Sequence, residues 1–482
     1  MRSLVRPATW LVLLAGAALA AAPSPNEIRK AMRSGDKAAV EKVLEALSGQ
    51  LDKAGVRAVL ECAHEVKTIG VYEPLVATLA TASGDALEEL KKQADDHRRP
   101  DVRFLLIEAL GKNPDRGAEE ALVRALEKDK DETVAVLAAR QMGKRGTASA
   151  VEALIPLLAK LEKDGSKSRL TREVNGALAQ LTGQDLSVAQ DWRNFWDAHK
   201  AEFKEKVPDA DDGKSHTRDE NALDRMRRER PGDARTMERL REDDVVVIKG
   251  KSDQVEQVLT ALNLKHVLHE RSAFDTVKLD PERQVLVLNC ASKEYLSEAG
   301  IAKVRDFVAK GGYLFSSDWE LRNTLAKAFP ETVEFLKDAG KDDKKVTIRP
   351  NGQHANHPFL RDVFPLGTWS EVQFIWTIDS RSHLIKPTPA LTVLVESKDM
   401  EDMGSNIVAF TFGYVTEGGQ ARPMTGGGSG KRRAKGGQVL HVLSHFKNQK
   451  DASGDGFALQ QLLLNFIVEK QELRKELAAG KN

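Results

Sequence analysis

Two stretches of this chain repeat one another at an offset of 32 residues, and that offset limits the possible fold more than any other feature. Val102-Arg-Phe-Leu-Leu-Ile-Glu-Ala-Leu-Gly-Lys112 aligns with Val134-Ala-Val-Leu-Ala-Ala-Arg-Gln-Met-Gly-Lys144, and Leu122, Val123 and Leu126 align with Leu154, Ile155 and Leu158. Apolar residues at helical spacing across residues 26–204, repeated at this period, predict stacked helical hairpins. Each hairpin shows an apolar stripe that it cannot bury alone, so neighbours must cover one another. Four or five hairpins are expected, with Gly111 and Gly143 ending the first helix of a pair. The helix over 189–203 carries Trp192, Phe195 and Trp196 on one face, as a cap on the last repeat would.

The apolar ladder with its Gly-Lys stop resembles HEAT-type repeats over about residues 85–204. Leu181-Thr-Gly-Gln184 before a Trp-rich helix is similar to the way exported bacterial arrays of this type close. The resemblance implies a protein-docking surface.

Lys plus Arg (73) nearly balances Asp plus Glu (72), so no overall field favours nucleic acid as a partner. Met1-Arg-Ser-Leu-Val-Arg6, the uncharged run Ala8–Ala20 and the Ala18-Leu19-Ala20 pattern predict a cleaved secretory signal over residues 1–20. The run is shorter than the ~20 residues of a membrane span, so a periplasmic or secreted product with no span after cleavage is expected. Cys62 and Cys290, the two cysteines, fall in different predicted domains, which argues against a disulfide.

The chain divides into the helical array (23–204), a charged segment (205–243) and an α/β unit (244–482). The middle segment lacks aromatic residues and carries Asp224-Arg-Met-Arg-Arg-Glu-Arg230, which predicts a linker or a solvated helix. From Val245-Val-Val-Ile248 onward, short apolar strands alternate with helices: Lys265–Leu268, Val285–Asn289 and Tyr313–Ser316, then 346–348, 372–377, 391–395, 407–412 and 439–444, with a long closing helix from Gly456. Such alternation predicts a three-layer, flavodoxin-like domain with a mostly parallel sheet. Thr425 to Gly437 is a flexible basic loop. Its Gly-Ser-Gly-Lys fails the phosphate-loop pattern, because Arg432 stands where Ser or Thr is needed.

The order Val285–Asn289, helix, Gly311-Gly312, Tyr313–Ser316 and a turn at Ser317-Asp318 resembles the class I glutamine amidotransferase-like fold, especially its ThuA-like branch. Asn356-His-Pro-Phe-Leu-Arg-Asp-Val-Phe364 and Gln438-Val-Leu-His-Val-Leu-Ser-His-Phe446 agree with it. In the amidotransferases that turn bears a nucleophilic Cys, and a late His with a Glu two residues beyond completes a triad. Here the turn reads Ser316-Ser-Asp-Trp319, and Lys447 stands two beyond His445, so the resemblance implies a fold without glutamine hydrolysis.

No complete catalytic constellation emerges. Ser317, Asp318 and His445 are the candidates the fold would bring to one sheet edge, with His357 nearby in the ThuA-like hydrolase alternative. Against chemistry there, Asp318 would cap the helix near Glu320, and His445 would pack or bond locally. Cys290 also follows a strand, but one strand too early for the turn, and is expected to be an ordinary small core residue. His354, His357, His441 and His445 do not form a metal set: on one strand, His441 and His445 would stand about 13 Å apart. No haem, flavin or other cofactor is implied. The expected function is an exported, non-catalytic scaffold that binds protein on its helical array. The alternative is a hydrolase or carbohydrate-processing domain with a small molecule or carbohydrate at the sheet edge.

Overall fold

The computed structural model describes residues 22–67, 69–164, 168–205, 221–364, 374–424, 436–448 and 454–479. The proposed signal, residues 425–435 of the Gly-rich basic loop and residues 206–220 of the charged segment lie outside them, while Gly436 and Gly437, expected in that loop, begin a strand.

The repeat pattern becomes five helical hairpins: α1 (Pro25–Met32) with α2 (Lys37–Leu47), α3 (Lys53–Cys62) with α4 (Tyr72–Ala80), α5 (Gly84–Asp96) with α6 (Pro100–Lys112), α7 (Gly117–Lys128) with α8 (Glu132–Arg145), and α9 (Ala148–Asp164) with α10 (Ser168–Thr182). Odd-numbered helices stack in one layer and even-numbered helices in the other. α11 (Ala189–His199) closes the array through two of the three expected aromatics: Trp192 and Trp196 are buried in its core, and the Trp192 indole donates to Asn175 Oδ1 (2.8 Å), whereas Phe195 is half-buried and stacks on His199 of the same helix.

Gly111 and Gly143 do not stop their helices; each lies inside one, in α6 and α8. Their role is close approach of the even-numbered layer. A Cβ on Gly111 would lie 2.2 Å from Gln141 Oε1, and one on Gly143 would lie 3.0 Å from the Ala177 backbone of α10. Gly143→Val is therefore expected to destabilise the protein by about 2 kcal/mol through overpacking, read by urea unfolding.

The sheet runs β2 (Val267–His269), β1 (Val245–Ile248), β3 (Val285–Leu288), β4 (Tyr313–Ser317), β12 (Gly436–Val442), β10 (Ile407–Glu417), β9 (Thr392–Glu396), β6 (Lys344–Pro350) and β7 (Phe374–Ile378). The half from β2 to β12 is parallel, as expected. The half from β12 to β7 is antiparallel, so the sheet is mixed. β11 (Gln420–Pro423) pairs with β10, and β5 (Glu334–Asp338) pairs with β8 (His383–Lys386) in a separate small sheet. Strand alternation divides the core: Val245, Val247, Tyr313 and Phe315 face α14 (Val255–Ala261) and α17 (Gly454–Ala479), whereas Val246, Ile248 and Leu314 face α15 (Glu298–Ala309) and α16 (Ala326–Ala328). That is the expected three-layer plan.

The charged segment departs from expectation where it is described. Residues 222–238 form α12 (Ala222–Glu229) and α13 (Pro231–Glu238), whose Leu223, Met226, Ala234 and Met237 are buried in the α/β core. Apolar side chains at helical spacing inside a charge-rich run supply the area that composition alone conceals. The arginines are not all solvated: Arg230 pairs with Asp233 (2.7 Å) and Asp362 (2.9 Å), and Arg225 is buried.

These helices belong to a charged seam joining the array to the α/β unit. Arg140 of α8 bridges Glu173 of α10 (2.8 Å) and Asp362 (2.7 Å), Arg361 reaches Asp233 (3.0 Å) and Glu469 (3.5 Å), and Arg172 of α10 also meets Glu469. Asn356 accepts from Thr133 (3.0 Å) and Arg169 (3.1 Å). Lys144 pairs with Glu229 at 2.9 Å. Burial would raise the Glu229 carboxyl, but the Lys144 ammonium, aided by Arg140 and Arg225, holds it at about 2. Because this pKa is depressed on folding from 4.5, the stability it contributes is complete above that value and is lost as pH falls toward 2. Glu229→Gln is expected to cost about 3 kcal/mol at pH 7, with the difference vanishing near pH 2 in denaturant unfolding.

Candidate functional site

The parallel strands bring their C-terminal ends to one edge, where ligands bind in open α/β sheets. Asp253, after β1, is fully buried and ties this edge together: it accepts from Ser317 Oγ (2.7 Å) and from the Phe446 amide (2.8 Å). Gly250 lets the loops after β1 and β3 touch, since a Cβ there would lie 2.4 Å from the Cys290 carbonyl oxygen.

Asp318 follows β4 in the left-handed region, at φ +43°. Asp tolerates that conformation better than most residues. Its amide donates to the Val442 carbonyl (2.9 Å), which swings the carboxyl group toward the end of β12. The side chain does not cap the following helix. Oδ1 instead accepts from the His383 amide (3.1 Å), and Oδ2 stands 3.3 Å from His445 Nε2. Trp319 stacks on His383 beside it, with ring centres 4.9 Å apart.

β12 ends at Val442, so His445 lies beyond the strand, and the strand spacing expected between it and His441 does not apply. His441 stays in the sheet with Nδ1 2.9 Å from Ser316 Oγ, and burial pushes it down to about 3. His445 bonds across the fold: its Nδ1 stands 2.7 Å from Asp379 Oδ2. The Cys290 thiol completes the cluster. Because β3 and β4 are neighbours in parallel register, the residue after one strand meets the turn after the other. The Cys290, Asp318 and His445 ligand atoms all lie within 4.8 Å of one another, and no member is more than 2% exposed.

Electrostatics follow from this burial. Desolvation pushes Asp318 up to about 7 despite the opposing His445 charge, and it raises the Cys290 thiol, with His445 pulling the other way. Burial would lower His445, but the bond to Asp379, the thiol and the charges of Asp253 and Asp318 hold it well above the usual histidine range. A histidine oriented by a carboxylate beside a thiol and a second carboxylate can move protons or hold a cation.

Of the residues expected here, Asp318 and His445 meet. Ser317 turns to Asp253 and to the Cys290 amide (3.2 Å). His357 is elsewhere, accepting from the Phe359 amide (3.2 Å) in the loop that also carries Asn356 to the array. His354 bonds the Val393 carbonyl at 3.0 Å. Cys290, expected as plain core, is buried but belongs to the cluster. Sequence reasoning misses Asp253 and Asp379, because acids near strand ends are too common to signal a site. On the array, Pro25, Arg29, Leu51, Lys53, Arg57 and Ala86 line an open groove of about 660 Å³.

Residues 87–173 match the model of HEAT repeats. No curated protein matches this chain. Solved structures similar to it include a protein described as a GMP synthase component from Thermoplasma acidophilum (10% identity, 49% of this chain, 97% of that one, TM-score 0.31). A ThuA-like protein from Bacteroides uniformis (11%, 48% and 92%, 0.32) and a glutamine amidotransferase from Methylobacillus flagellatus (10%, 48% and 93%, 0.27) are also similar. The N-terminal region is thus a stack of helical hairpins, within which residues 87–173 match HEAT repeats.

Proposed function

We propose that the chain is an exported scaffold or binding protein whose helical array docks a protein partner. The α/β unit, lacking the amidotransferase Cys and Glu at their expected positions, serves as a second recognition module. The observation carrying this reading is the HEAT match over residues 87–173, since repeat arrays present extended surfaces suited to protein recognition. The charged seam supports it by holding the array against a second domain. Affinity capture from source cells with the full chain is the test, comparing wild type with an Arg29→Glu/Lys53→Glu/Arg57→Glu variant of the array groove and an Asp318→Asn variant of the sheet edge. A specific partner lost by the groove variant and kept by the sheet-edge variant supports the reading; a partner indifferent to the groove and lost with Asp318 contradicts it. Export predicts a mature chain beginning just after Ala20, read by mass spectrometry of the native protein.

A second reading, a hydrolase with a small molecule or carbohydrate at the sheet edge, draws support from the His445–Asp379 pair beside Asp318. Turnover of ester or glycoside substrates that disappears in His445→Gln would favour it over the scaffold.

A further inference from the structure

We propose that Cys290, Asp318 and His445 form a binding site for a zinc-type divalent metal ion. Three different chain segments deliver one donor each, and the donors are a thiol sulfur, a carboxylate oxygen and an imidazole nitrogen. Sulfur and nitrogen donors suit zinc and disfavour calcium or magnesium, which take hard oxygen shells.

Asp318 Oδ2 and His445 Nε2 are both buried, make no well-formed hydrogen bond, and face each other as an ion pair at 3.3 Å. Leaving such atoms unsatisfied is costly, and a cation between them removes the cost. Their 3.3 Å separation fits neighbouring ligands on one tetrahedral ion, for which bond lengths near 2.0–2.2 Å give about 3.4 Å. The thiol, within 4.8 Å of both, needs to move by about 1 Å to complete three corners.

The surroundings match what a metal-bound histidine needs. Nδ1 of His445 is held by Asp379 at 2.7 Å, which leaves Nε2 for the ion and fixes the ring plane. The His383 amide holds Asp318 Oδ1, so the other carboxylate oxygen is turned to the centre. One thiolate and one carboxylate balance the double charge, which permits burial of the loaded centre. Three protein ligands leave a fourth position for water or a ligand.

The test strips the full-length protein with a chelator, dialyses it against Zn²⁺ and measures metal by mass spectrometry, with Co²⁺ as a spectroscopic probe. We expect close to one zinc per chain and a thiolate-to-cobalt absorption band. Cys290→Ser should remove the band and weaken zinc binding by about 100-fold or more, Asp379→Asn should weaken it by about 10–100-fold, and Cys62→Ser should change neither. Wild type holding no more zinc than Cys290→Ser, or cobalt bound without the thiolate band, overturns the proposal. If the Cys290 variant fails to fold, as circular dichroism would show, the wild-type cobalt spectrum decides the matter alone.

Discussion

Asp362→Asn is expected to cost about 3 kcal/mol at neutral pH, because it removes the shared anion of two largely buried arginines. Asp362 sits 2.7 Å from Arg140 of the array and 2.9 Å from Arg230, between α12 and α13, and Arg140 with its neighbours drives its carboxyl far below the ordinary range against the burial that would raise it. Asparagine keeps the shape and tolerates the left-handed backbone at φ +57°, so the loss reports charge and not strain. Urea unfolding at pH 7 measures it. Hydrogen exchange should show the loss of protection concentrated in α8, α10 and α12, where the seam is made. A stability unchanged within about 0.5 kcal/mol would mean that these arginines find water, and that the seam does not couple the two halves.

Arg145→Ala has the second large effect, about 4 kcal/mol, because one buried side chain satisfies several groups at once. Arg145, 1% exposed, donates to the carbonyls of Leu110 (3.2 Å), Asn113 (2.7 Å) and Asp115 (2.8 Å) and to Glu119 Oε1 (3.0 Å). It therefore closes the C-terminal end of α6 and the connection into α7, where helix carbonyls lack intrahelical partners. Arg145→Lys should rescue little of the loss, since a single ammonium cannot span these acceptors. A thermal-unfolding comparison of both variants with wild type decides this: equal midpoints for Lys and Arg would reject the role given to the guanidinium fork.

Local periodicity makes the array legible. The 32-residue offset and the Trp192/Trp196 face predict hairpins and their cap, because stacking of like units writes the same apolar ladder into successive segments. Gly111 and Gly143 read as stops, since a glycine that admits a neighbouring helix and one that ends its own look identical in sequence. The apolar strands β1, β3 and β4 are visible as uninterrupted runs. β5, with Glu334, Lys337 and Asp338 among its five residues, lacks that signal. The antiparallel half of the sheet is hidden because strand direction depends on distant pairing.

The site is partly legible for the same reason. Strand counting places Asp318 and His445 at one edge. Cys290 reads as ordinary core because it stands one strand early, yet adjacent strands erase that difference. Asp379 stands 66 residues before its histidine partner, and Asp362 stands 222 residues from Arg140, so no local pattern carries either pair. Charged residues inside otherwise apolar segments, such as Arg361 and Asp362 before Val363, are the one available sign of the seam.

Hydrogen exchange on the full chain, alone and with its captured partner, tests the proposed docking role most directly. The account predicts new protection along α1–α11, strongest where Arg29, Lys53 and Arg57 line the groove, with the sheet edge around Asp318 and His445 little changed. Protection confined to that edge, with the array indifferent to the partner, would contradict it.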